Sequence, residues 1–86
     1  MKNRNYRVET EPVNTQGVID AKDSNEIIFI NKGTATAEID GFPLSFNEFL
    51  TDSDNADEIN KSRYRITFTT AGTNILFVRR KYYINN

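Results

Sequence analysis

Histidine and cysteine are both absent from the 86 residues, which removes the usual general base near neutral pH and leaves carboxylate pairs as the candidates for acid–base work. Two carboxylate pairs have a spacing that invites acid–base chemistry, Glu9 with Glu11 and Glu38 with Asp40. Residues two apart on a strand share one face, and in both pairs that is the solvated face. Exposed carboxylates lack the burial that tunes a catalytic acid or base. The acidic run holding Asp52, Asp54, Asp57 and Glu58 offers oxygen ligands on a bend, as Ca²⁺ requires. Its spacing is wrong for an EF-hand, because a loop starting at Asp52 would place Asp57 where glycine is needed and Arg63 where the bidentate glutamate is needed. The loss of the usual thiol nucleophile and transition-metal ligands, together with these mismatches, points away from catalysis and from any cofactor or metal.

The remaining chemistry-bearing cluster is basic and aromatic: Arg79, Arg80, Lys81, Tyr82 and Tyr83, with Arg63 and Arg65 extending it if their strand lies alongside. Such a mixture can contact phosphates and stack on bases. A sequence pI of about 5.3 disfavours that use, since the chain as a whole repels a polyanion. Arg and Tyr are also the residues that protein interfaces enrich, so these seven positions are the expected contact surface for other protein subunits. The plainer reading is a final strand whose tyrosines close the end of the fold while Arg79, Arg80 and Lys81 point to water. Two rival functions stay open. One is a carbohydrate-type binding module using Tyr64, Tyr82 or Tyr83 as stacking platforms. The other is an inhibitor or accessory domain that pairs its acidic loop with a basic partner.

These side chains need a scaffold, and composition says which kind. Six Phe, four Tyr and many β-branched residues suit pleated, half-buried surfaces. A 9.9 kDa chain buries only roughly 64 % of its unfolded surface, and no disulfide or zinc site can reinforce it. Packing against partner subunits would help. Charge is sorted along the chain: all 12 acids lie between residues 9 and 58, where Lys22 and Lys32 are the bases, and both flanks are purely basic. Brought together in space, the flanks would form a basic face opposite an acidic one, which favours head-to-tail contact. No apolar run is long enough to cross a bilayer or resembles a signal peptide, so a cytoplasmic site of synthesis and no membrane partner are expected.

Strand signals follow one another at short intervals. Residues 6–13 alternate, with Tyr6, Val8 and Thr10 on one side and charges on the other, and Pro12 marks an edge or an end. Val18-Ile19 forms a short strand. Ile27-Ile28-Phe29-Ile30 has no amphipathic period, which predicts a central strand covered on both faces. Residues 34–40 alternate with Ala35, Ala37 and Ile39 inward, and Asp40-Gly41 is a type I′ hairpin signal leading into Phe42-Pro43-Leu44-Ser45-Phe46. Phe49-Leu50-Thr51 is a short strand, residues 51–62 an acidic loop, and residues 63–70 a strand with Tyr64, Ile66 and Phe68 inward. Residues 74–84 form the last strand, apolar on both faces at first. The expected organisation is a flexible basic arm at 1–5 and one domain at 6–86. Its fold class is all-β, a small antiparallel β-sandwich or jelly-roll-like barrel of about seven short strands.

The run from Ile28 to Leu44, with Asn31-Lys32-Gly33-Thr34-Ala35 after one strand and Gly41-Phe42-Pro43-Leu44 before the next, resembles the small β-sandwich accessory proteins of tailed-bacteriophage particles, of the decoration and head-fibre type. The stretch Phe68 to Val78 is similar to the final hairpin of such domains. The resemblance implies a non-enzymatic structural role as a capsid- or tail-associated subunit in the virion, made in the host cytoplasm and arranged as an oligomer or in repeated copies.

Overall fold

The computed structural model of the chain describes residues 5–54 and 57–84. Asp40 and Gly41 adopt positive φ angles of 50° and 87°, and these close a tight hairpin between β4 (Ala37–Ile39) and β5 (Phe42–Leu44). Three further pairings nest around it. β3 (Glu26–Asn31) pairs with β6 (Phe49–Asp54), β2 (Gly17–Asp20) with β7 (Arg63–Phe68), and β1 (Asn5–Val13) with β8 (Leu76–Ile84), all antiparallel. The chain is therefore one long hairpin with its tip at Asp40-Gly41. Rolling it up distributes the described strands into two four-stranded sheets, ordered β1-β8-β3-β6 and β2-β7-β4-β5. That is the jelly-roll arrangement of a β-sandwich, the all-β class expected from composition.

The core lies between the sheets. Ile27, Phe29, Leu76 and Val78 face Ala37, Ile39, Leu44, Tyr64 and Ile66, with the Phe29 and Tyr64 rings edge to face at 4.9 Å. At one end Asn31 is fully buried and fully bonded. Its Nδ2 donates to the carbonyls of Ala35 and Leu44, each at 2.8 Å, and its Oδ1 accepts from the Gly33 N–H at 2.9 Å. One side chain thus ties β3 to the turn that follows it and to β5 in the opposite sheet. Gly33 is required beside it, because a Cβ there would stand 2.1 Å from the Thr73 carbonyl oxygen.

Four expectations are corrected. The Ile27–Ile30 run is central but covered on one face only: Ile27 and Phe29 are buried while Ile28 and Ile30, turned away from the second sheet, are half-buried. A two-layer fold has nothing to put on a sheet's other side. In β1 the charged side of the strand turns inward, since pairing Val13 with Leu76 and Glu9 with Arg80 leaves Tyr6, Val8 and Thr10 on the outside. Of residues 34–40 only Ala37–Ile39 form a strand, although Ala35, Ala37 and Ile39 are buried as their alternation predicts. The segment after Thr51 is not all loop, because β6 continues to Asp54 opposite Glu26. Within the expected 51–62 loop, residues 55–56 lie outside the described residues. So do residues 1–4 of the expected arm, whereas Asn5 opens β1. Among the described residues no helix is long and apolar enough to cross a membrane.

Candidate interaction surface

The strand registers distribute the basic-aromatic cluster over three surfaces. Successive residues of β8 point to opposite sides, so Arg79, Lys81 and Tyr83 lie on the outer face of their sheet while Arg80 and Tyr82 turn toward the other sheet. Arg63 and Arg65 are exposed on β7, which belongs to the second sheet, and they do not extend the cluster. Arg80 is withdrawn from any surface role: only 2 % of it is exposed. Its Nε and Nη2 donate to the Asp20 carbonyl at 3.1 and 2.7 Å, and its Nη1 pairs with Glu11 at 2.6 Å. The guanidinium fork bridges the sheets where the apolar core has run out.

The tyrosines proposed as stacking platforms are likewise engaged. Tyr82 donates its hydroxyl to the Lys22 carbonyl at 3.0 Å, and the Arg7 guanidinium lies 4.3 Å from its ring centroid. Burial, with the charge of Glu9 adding to it, raises its phenol above the ordinary value. Tyr83 packs edge to face with Tyr6 at 6.2 Å, and Lys81 Nζ sits 4.1 Å from the Tyr6 ring and 5.2 Å from Tyr83. Tyr64 is a core residue whose hydroxyl donates to Asp52 at 2.6 Å and accepts from Asn60 at 2.7 Å. Burial first, then the hydrogen bond to Asp52, pushes the Tyr64 phenol from 10.0 up to about 12.

A phenol whose folded pKa exceeds its unfolded one stabilises the fold fully below pH 10, and that contribution disappears as pH rises from about 10 to about 12. The amount is up to roughly 2–3 kcal/mol. Urea unfolding between pH 9 and pH 12 is expected to show this loss in the wild type and a smaller one in Tyr64→Phe. Equal losses in both proteins would remove Tyr64 as the cause.

What sequence reading missed is an apolar row on the outer face of the β1-β8-β3-β6 sheet. At one level across all four strands stand Pro12, Phe77, Ile30 and Phe49. Phe49 is 67 % exposed, and Phe77 and Ile30 are half-buried with no second layer over them. The next level holds Thr10, Arg79, Ile28 and Thr51, and the level beyond it Val8, Lys81 and Glu26, with position 54 of β6 in register beside Glu26 after a shift in the pairing. The signal for it was available: in a two-layer fold, four consecutive apolar residues must turn two outward. No motif marked Phe77 or Phe49 as their neighbours, since that neighbourhood depends on pairings far apart in the chain.

Chemically, the face has the anatomy of a contact surface, an apolar row followed by two cations, Arg79 and Lys81, the anion Glu26 and the hydroxyls of Thr10 and Thr51. Among the described residues no three acidic side chains gather as a metal site would need. No protein-family model, curated protein or solved structure matches the chain.

Proposed function

We propose that the chain is a non-enzymatic assembly subunit that joins other protein subunits through the outer face of the β1-β8-β3-β6 sheet. The observation that carries this is the uncovered apolar row of exposed Pro12 and Phe49 with half-buried Phe77 and Ile30 between them. Leaving contiguous aromatic and aliphatic surface in water is unfavourable, and covering it with a partner recovers on the order of 25 cal/mol per Å². Scattered exposed apolar residues need no explanation, but a row crossing a whole sheet does.

The specific form of this proposal is a virion accessory subunit, of the capsid-decoration, head-fibre or tail-associated kind, as the resemblance of the Ile28 to Leu44 stretch implies. The jelly roll is an architecture that viral capsid domains use, which supports that form by analogy alone, because lectins and cupins use it too. The carbohydrate-binding reading draws no support from its own residues: Tyr64 is buried, Tyr82 lies under Arg7, and Tyr83 is packed with Tyr6 and Lys81.

A photo-crosslinking phenylalanine analogue placed at Phe49 tests the proposal in the cells that produce the protein. Illumination is expected to yield a covalent adduct of defined mass with another polypeptide. The same analogue at Val18, which is exposed on the outer face of the other sheet, is expected to yield none. Absence of any adduct at Phe49 would overturn the reading.

A further inference from the structure

We propose that the partner on this face is a second copy of the same chain, stacked sheet on sheet about a two-fold axis running along the strands between β8 and β3. The inference rests on the assembly reading and identifies its partner. On the outer face the two central strands place Phe77 beside Ile30, Arg79 beside Ile28, and Lys81 beside Glu26. An axis parallel to and between these strands lays β8 of one copy over β3 of the other and keeps each level opposite itself. Phe77 then meets Ile30 of the second copy and Lys81 meets its Glu26. At the flanks Pro12 meets Phe49.

Along the two central strands the Phe77–Ile30 and Lys81–Glu26 levels are self-complementary under this one operation, as an isologous interface requires. The apolar row covers its own counterpart, and Lys81 faces Glu26 twice over. Arg79 lies over Ile28 of the second copy, where its aliphatic stem covers the apolar side chain and its guanidinium extends toward the rim. An axis at right angles, through the Arg79–Ile28 level, fails the same test. It would set Lys81 over Phe77 and Glu26 over Ile30, covering each charge with an apolar side chain and giving neither a counter-charge in the second copy.

Geometry permits the contact. Stacked sheets cross at about 30°, and turning about the Arg79–Ile28 level displaces levels two residues away by only about 3 Å, within reach of the Lys81 stem. Four strands about 4.8 Å apart and of the observed lengths present a flat footprint of roughly 500 Å² per copy, or about 1,000 Å² for the pair. That is the lower bound for a specific interface, so the dimer is expected in the micromolar range.

The symmetry makes an unusual test possible. Lys81→Glu leaves every facing position acidic and Glu26→Lys leaves every one basic, so each variant repels itself. Mixed together, the two restore attraction at both sites. Light scattering after size exclusion, at loading concentrations from about 10 to about 200 µM in about 0.15 M salt, is expected to show a wild-type dimer at the upper end. Each single charge variant should associate at least tenfold more weakly, while their equimolar mixture and the double variant E26K/K81E regain the dimer. Phe49→Asp, at a largely exposed position where folding is not at stake, should weaken association at least tenfold by the apolar route. Far-ultraviolet circular dichroism confirms that each variant is folded.

A wild type that remains monomeric at the highest concentration overturns the proposal, and so does a dimer indifferent to the charge variants or a mixture that stays monomeric. None of these results touches the wider assembly reading. That reading stands if the Phe49 adduct forms with a polypeptide of another mass, and falls if no adduct forms.

Discussion

Asn31→Asp, which exchanges one amide for a carboxyl of the same shape, is expected to cost about 3–5 kcal/mol near pH 7. The amide nitrogen donates to two buried carbonyl oxygens, of Ala35 and Leu44, at 2.8 Å. A carboxylate oxygen in that place has no proton to offer, so three acceptors meet in a site closed to water. For an 86-residue domain the whole stability is about 4–13 kcal/mol, which puts the variant near or below the folding threshold. Acid should restore part of it, because the introduced carboxyl, once protonated, can donate to one of the two carbonyls. Its folded pKa would then lie above the unfolded value of about 3.9, so the recovered stability is present below about pH 4 and lost as pH rises through the folded pKa. Urea unfolding of variant and wild type side by side at about pH 3.5 and about pH 7, on either side of that transition, measures the difference. If the gap between them is the same at both pH values, the amide does not act through its two donated hydrogen bonds.

Arg80→Met keeps the length of the side chain and removes its charge and its fork, and is expected to cost about 2–4 kcal/mol. Most of that loss comes from the Asp20 carbonyl, which accepts two guanidinium N–H groups and would be left unpaired. Glu11 contributes less, since its side chain is 39 % exposed and can rehydrate once its partner is gone. Arg80→Lys should therefore fall between, at about 1–2 kcal/mol, because a single ammonium cannot reproduce a planar fork aimed at both oxygens. Glu11→Gln should cost about 1–2 kcal/mol, because its amide oxygen can still accept from Nη1 but the buried guanidinium loses its counter-charge. Denaturant midpoints for the three variants settle the ranking. A cost for Arg80→Met no larger than that for Glu11→Gln would mean that the ion pair, not the carbonyl contact, holds the sheets at this point.

Both predictions concern polar residues inside a sandwich, and neither residue stood out in the sequence. Asn31 sits in a run that reads as strand followed by turn, so an Asn there is ordinary until β5 arrives beside it from thirteen residues away. Arg80 belongs to a basic string in which it looks like its neighbours Arg79 and Lys81. Its burial depends on β2 ending opposite it at Asp20, sixty residues earlier. The interaction surface was half legible. Arg79, Lys81 and Tyr83 do share a face, as alternation along one strand requires, but the rest of that face is supplied by Pro12, Ile30 and Phe49 from three other strands.

The strands and their turns could be read without coordinates because their signals are local: period-two alternation, Asp40-Gly41 where two positive φ angles are needed, and β-branched and aromatic residues that suit a pleated surface. The absence of histidine and cysteine for chemistry is likewise a property of the chain alone. Which side of each strand faces inward was settled only when the two sheets came together. Shifting a strand's pairing by one residue exchanges its two faces, so the choice is made by the sum of contacts across both sheets and not by any one strand. That sum turned the charges of β1 toward Arg80 and left Phe77, Ile30 and Phe49 in one row on the outside.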